Sequence, residues 1–185
     1  MLARDPVNDI RVVQVVRVEK AERYALQFTE ESVSVREEID VDVDNGTEVI
    51  RVPGHNKQAP MEVMNDFVAG LTAKRLPLSK ECYVSKLDPT LPTSQKLKLD
   101  LDLATKQPLS DEKIIKETAT RVLGFADRLA LPQTILDFCG SLPIYNIEEV
   151  PVDGMNDSLL EMEGQGRYKR SDMFKASACD TGYYF

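Results

Sequence analysis

The stretch SVSVREEIDVDVD, residues 32–44, alternates apolar and polar residues with period two. On a strand, Val33, Val35, Ile39, Val41 and Val43 point one way, and Ser34, Arg36, Glu38, Asp40, Asp42 and Asp44 the other. Asn45-Gly46 follows, the dipeptide best suited to positive φ in a two-residue hairpin turn, and TEVIRVP reads as the return strand. A chain with this pattern builds a half-buried antiparallel sheet. Upstream, IRVVQVVRVEK is rich in valine and places Ile10, Val12, Val16 and Val18 on one face, so the whole of 10–52 reads as strands.

Pro53 and Gly54 break the pattern, and GHNKQAP reads as a loop. MEVMNDFVAGLTAKRL is a strand pair or one long bent strand, with Gly70 as turn or bulge. ECYVSKL is a short strand ended by Asp88-Pro89. In residues 91–104 two signals conflict. KLKLDLDL alternates as a strand does, while PTSQ offers a helix N-cap ahead of good helix formers. Periodicity favours strand. The β-branched content of IIKETATRVLG also favours strand. LPQTILDFCG predicts a helix with Pro132 at its first position, Gly140 at C′, and Ile135, Leu136 and Cys139 on one face. LPIYNIEEV is a closing strand, and PVDGMNDSLLEMEGQG has too little apolar content to pack and reads as a linker.

A net charge of −8 argues against nucleic-acid binding and against a polybasic membrane patch. No apolar run approaches the length of a membrane span, and MLARDPVNDIRVV is no signal peptide. The expectation is a cytosolic protein or a sequence that begins downstream of its targeting segment. With 3 cysteines, 1 histidine (His55) and no C-x-x-C pair, neither a metal site nor a cofactor is expected. No G-x-S-x-G, phosphate loop or H-E-x-x-H is present, and His55 has no oriented partner, so no catalytic residue is assigned and no enzyme is expected.

Arg167-Tyr168-Lys169-Arg170 fits a furin-type convertase, whose acidic cleft draws in an extended basic segment. Its bland alternative is solvated charge in an acidic linker. N-glycosylation sequons stand at Asn45-Gly46-Thr47 and Asn156-Asp157-Ser158, in a turn and a linker. On spacing alone Cys82 and Cys139 are equally a bridge, worth roughly 4 kcal/mol by loop entropy, or separate buried thiols.

NDFVAGLTAKRL, ECYVSKLD and LPQTILDFCGSLPIYNI, in that order and spacing, resemble the BRICHOS domain over residues 58–150, most specifically in FCGSLPIY. The resemblance implies an α+β fold, a central antiparallel β-sheet packed between two helices, here preceded by extended β-strands. It makes 91–104 a helix, against the periodicity. It implies a Cys82–Cys139 disulfide and an oxidising compartment, with the sequence a truncated precursor of the secretory pathway or extracellular space. Asp66 in NDF matches the family's invariant aspartate. The expectation is a buried, pH-sensing carboxylate with raised pKa; a strand-end or turn aspartate is the alternative. The chain then divides into an N-terminal β-rich linker region 1–52, the BRICHOS-like domain 53–150, an acidic linker with the cleavage site 151–170, and a C-terminal peptide 171–185.

The implied function is intramolecular chaperoning, with a β-prone segment of the precursor as client and a convertase as processing partner. Nucleic acid is not expected as a partner, and a homo-oligomer is left open. Alternatives are an extracellular interaction module whose C-terminal peptide is the signal, and an unrelated cytosolic β-rich scaffold. Cys179 is left as an odd thiol.

Overall fold

The computed structural model describes residues 11–17, 22–30, 32–56, 58–106, 118–151 and 173–174. In chain order these form β1 (Arg11–Arg17), β2 (Arg23–Glu30), β3 (Val33–Asp42), β4 (Thr47–Val52), β5 (Met61–Asp66), β6 (Leu71–Leu76), β7 (Glu81–Lys86), α1 (Ser94–Ala104), β8 (Thr118–Phe125), α2 (Gln133–Cys139), β9 (Ile144–Pro151) and β10 (Met173–Phe174). The strands join in a single 10-stranded sheet of order β1-β2-β3-β4-β5-β6-β7-β9-β8-β10. The fold is α+β, mostly sheet, with two α-helices among the described residues.

Up to β7 the sheet is a meander of antiparallel neighbours. The alternation in β3 holds at Val35, Ile39 and Val41, which are buried, while Val33 is exposed at the strand start. The β3–β4 connection is a four-position loop, Val43 to Gly46, closed by the Asp42↔Thr47 pair, rather than the two-residue turn expected from Asn45-Gly46. Among its residues only Gly46 takes positive φ, +64°; the Asp42 carboxylate accepts from the Asn45 backbone N–H and fixes the remaining turn. β5 and β6 are a hairpin, and Gly70 supplies its positive φ of +67°.

Residues 94–104 are helical, as the resemblance implies and the period-two count does not. Thr93 caps the first turn by accepting from the Lys96 N–H, and Lys96–Asp100 and Lys98–Asp102 pair one turn apart. Leu97, Leu101 and Ala104 form the buried stripe, and Leu99 and Leu103 are left exposed. Tyr24, Leu26, Phe28, Val35, Ile39, Val41, Ile50, Val52 and Val63 complete that core with α1. A second core joins Met64, Ala73, Cys82, Val84 and Ile144 to Ile135 and Cys139 of α2. α1 packs chiefly on β1 and β3 and α2 on β5 and β6, and β5 enters both cores, through Val63 and Met64.

Pro132 stands at the N-cap of α2, one position before the expected first helical turn, and Gly140 ends it with φ +59°. LPIYNIEEV does not close the sheet. β9 lies between β7 and β8 and runs parallel to β7, so the sheet is not wholly antiparallel. The reason is covalent: Cys139 at the end of α2 is bonded to Cys82 at the start of β7, so the chain re-enters beside that start. Cys82 N–H donates to the Pro143 carbonyl at 3.0 Å, and Cys82 faces Ile144 in register. β8 covers residues 118–124 of the expected strand and adds Phe125, and residues 114–117 lie outside the described residues. So do Ile10 and Val18 and the side chains of β1.

The N-terminal strands are continuous with the rest. β4 pairs with β5 from Thr47↔Asp66 to Val52↔Met61, so the sheet runs unbroken across Pro53.

Candidate functional site

α2 is seven residues long, too short to persist without tertiary anchors. The structure provides several. The Cys82–Cys139 disulfide joins its last residue to β7, with a Cα–Cα distance of 5.7 Å and both residues buried. Arg75 on β6 donates to the Phe138 carbonyl at 2.9 Å and lies 5.0 Å from the Phe138 ring centroid. Arg128 donates to the Gly140 and Leu142 carbonyls, holding the turn that follows the helix.

Asp66 supplies another anchor. It ends β5, buried, with Oδ1 accepting from the Val68 and Ala69 N–H groups at 3.0 and 2.8 Å. Its Oδ2 accepts from the Thr134 hydroxyl on α2. Asp66 is buried, as expected of it, and also stands at a strand end, closing the β5–β6 turn and tying it to α2. Thr134→Val removes the O–H donor and keeps the shape. It is expected to destabilise the chain by about 1–2 kcal/mol, read as a lower urea midpoint at unchanged slope. An unchanged midpoint would show that this bond does not hold α2.

Burial pushes the Glu48 carboxylate up to about 7 from an ordinary 4.5, against a smaller opposing pull from the Asn65 amide. Asn65 Nδ2 donates to Glu48 Oε1 at 2.6 Å, and the Thr72 hydroxyl donates to Asn65 Oδ1 at 2.6 Å. Register places Glu48, Asn65, Thr72 and Ser85 side by side across β4, β5, β6 and β7, all buried. Among the described residues Glu48 Oε2 has no hydrogen-bond partner. Glu37, also buried, lies on the same face between Val35 and Ile39. Sequence reasoning passed over both glutamates. The available signal was phase: Glu37 falls in the apolar register of β3, and Glu48 in that of Ile50 and Val52.

A third feature is an aromatic row. Tyr83, Tyr145 and Phe125 stack across β7, β9 and β8, with ring centroids 5.6 and 4.7 Å apart. Phe125 is 74% exposed, and Leu123 and Leu129 are 60% and 97% exposed nearby in the chain. β8 carries a register shift between Val122 and Gly124, where Gly124 adopts φ +130°.

His55 is buried, its Nδ1 is 2.8 Å from the Pro53 carbonyl, and its ring meets Phe28 edge-on. Cys82 and Cys139 are tied to each other in the disulfide. Among the described residues no group of three His, Cys, Asp or Glu side chains is placed to hold a metal, and no helix is long and apolar enough to cross a membrane. Asn45 is exposed in the β3–β4 loop, its Nδ2 donating to Asp42 at 2.6 Å. Asn156, Arg167, Lys169, Arg170 and Cys179 lie outside the described residues.

No curated protein and no solved structure matches the chain. The family model of the BRICHOS domain matches residues 57–146, a span that holds β5 to β8, both helices and the first residues of β9. The disulfide joins two residues inside that span, and Asp66 lies within it. The chain is a BRICHOS domain-containing protein, its domain at residues 57–146 and its sheet extended beyond that span by β1 to β4.

Proposed function

We propose that the chain is the intramolecular chaperone of a secretory-pathway proprotein, shielding a β-prone segment of its own precursor until proteolysis separates them. BRICHOS domains are chaperone-like domains of secreted or membrane-held proproteins. The observation that carries the reading here is an aromatic row whose outer end is exposed. From the buried Tyr83 through the half-buried Tyr145 the stack runs across adjacent strands to Phe125, which is exposed beside the exposed Leu123. Such a surface suits an extended, apolar, aromatic-bearing segment, which in water would pair with its own kind. The disulfide fits an oxidising compartment. Processing after Arg170 by a furin-type convertase would separate residues 171–185, and Asn45 and Asn156 are its proposed glycosylation sites. Val63 and Met64, adjacent on β5, enter the α1 core and the α2 core respectively, which supports a sheet held between the two helices.

The full chain at equimolar ratio is expected to lengthen the fibril lag of an unrelated β-prone peptide several-fold, followed by amyloid-dye fluorescence. The Leu123→Ser/Phe125→Ser variant, altered only at exposed positions, is expected to lose most of that effect while keeping its unfolding midpoint. A wild-type chain without effect on the lag would overturn the reading. Receptor or matrix binding by 171–185 alone would favour the interaction-module alternative.

A further inference from the structure

The β3–β4 loop, Val43 to Gly46, carries the chain's one asparagine–glycine pair. Asn45 is exposed, and its backbone N–H and Nδ2 both donate to the Asp42 carboxylate, at 3.0 and 2.6 Å. The Gly46 N–H donates to no group among the described residues. Gly46 is gripped from its other side. Its carbonyl accepts from the Phe67 N–H at 3.0 Å, Thr47 pairs with Asp66, and a Cβ at 46 would meet Val68 Cγ2 at 3.0 Å. The loop therefore rests on the β5–β6 turn, whose Val68 and Ala69 N–H groups Asp66 holds.

We infer that Asn45-Gly46 is a site of spontaneous covalent change, at which Asn45 reacts with the Gly46 nitrogen and then water to become aspartate or isoaspartate, and that Asp42 sets its pace. The site is independent of the chaperone reading. Asparagine is among the thermolabile residues. The Gly46 nitrogen loses its proton to hydroxide and attacks Asn45 Cγ. A Cγ–N bond forms, the Cγ–Nδ2 bond breaks, and Nδ2 leaves as ammonia with a proton from water. Water then opens the cyclic imide. Opening at Cγ gives aspartate; opening at the main-chain carbonyl gives isoaspartate. A side chain at 46 would crowd the attacking nitrogen, and glycine has none. Asp42 opposes the reaction. While it holds Nδ2, the Asn45 side chain is not free to swing onto the Gly46 nitrogen, so ring closure waits for that bond to open. The bond is exposed, where water readily replaces it. Either product puts a carboxylate where a donor faced Asp42. Isoaspartate also adds a methylene to the main chain just before Gly46, shifting the carbonyl that Phe67 reaches and with it the turn under Asp66. A sugar on Asn45 would occupy the same Nδ2, so glycosylation and ammonia loss are alternatives at one atom.

The test uses the full oxidised chain made without glycosylation, held near neutral pH at body temperature and sampled over weeks. Peptide mass mapping locates each converted asparagine, and labelling by isoaspartyl methyltransferase counts isoaspartate. Asn45 is expected to convert several-fold faster than Asn65, buried on β5 before Asp66, and than Asn146, on β9 before Ile147. Isoaspartate should be the larger product, and the rate should rise in proportion to hydroxide. Asp42→Ala, altered at an exposed position, should convert several-fold faster than the parent. Asn45→Gln should give no product at 45. The isoaspartate form, separated by ion exchange, should unfold at a lower urea midpoint. An Asn45 that stays intact in the folded chain, or converts no faster than Asn65, while the urea-unfolded chain converts it readily, would overturn the site. Equal rates in the parent and Asp42→Ala would overturn the part given to Asp42. An unmoved midpoint of the isoaspartate form would overturn the tie to the Asp66 turn.

Discussion

Replacing Cys82 and Cys139 together by alanine is expected to lower the unfolding free energy by about 2–5 kcal/mol, the largest effect of any change considered. The bridge spans 57 positions, a length for which loop entropy alone gives roughly 4 kcal/mol. Its position adds a structural reason. α2 has only seven residues, and the bond ties its last residue to the first residues of β7, beside which β9 begins. Without it, the seating of α2 and the parallel β7–β9 pair rest on Asp66–Thr134, Arg75–Phe138 and apolar packing. Urea unfolding of the oxidised chain and of the double variant measures the difference. A midpoint unmoved by the double substitution would show that the fold is set without the bridge.

The second expected effect is on pH dependence. Glu48 titrates near 7 in the folded chain and near 4.5 when unfolded. Between those values the folded chain holds a proton that the unfolded chain has lost. The contribution to stability is therefore complete below about 4.5, falls as pH rises through 7, and is gone above it. The difference corresponds to about 3 kcal/mol. Glu48→Gln removes the titration and keeps a side-chain oxygen for the Asn65 amide. The variant should match the parent at pH 4 and exceed its stability by about that amount at pH 8. Parallel pH profiles for the two proteins would show that Glu48 does not titrate in this window. Glu48 joins β4, outside the matched domain, to β5 within it, so the chief consequence of its ionisation falls on that junction.

Residues 91–104 show how far sequence periodicity can mislead. Leucines at 97, 99, 101 and 103 satisfy a strand's period, but a helix needs only Leu97, Leu101 and Ala104 to bury a stripe. The i,i+4 Lys–Asp pairs and the Thr93 cap were visible in the same residues and point to helix. Asp66 was legible as a special residue through the family resemblance. That its carboxylate spans from the β5–β6 turn to α2 was not, because Thr134 lies 68 positions away. Glu48 shares the phase of Ile50 and Val52, but that local signal could not show the polar row across β5 to β7 that its carboxylate joins.

By itself the sequence determined the strands 33–42 and 47–52, the glycine turns, the helix that ends at Cys139 and, through the resemblance, the domain and its disulfide. These are local matters of side-chain period, positive φ and motif spacing. Tertiary structure alone decided that β1 to β4 continue the domain's sheet, that β9 enters beside β7, that two glutamates are buried, and that Met173 and Phe174 cover the edge of β8. Period two says that a strand has two faces; it does not say which strand lies beside it. Main-chain pairing is chemically the same for every strand, so the choice of neighbour is made by distant contacts that become possible only once the chain has closed on itself.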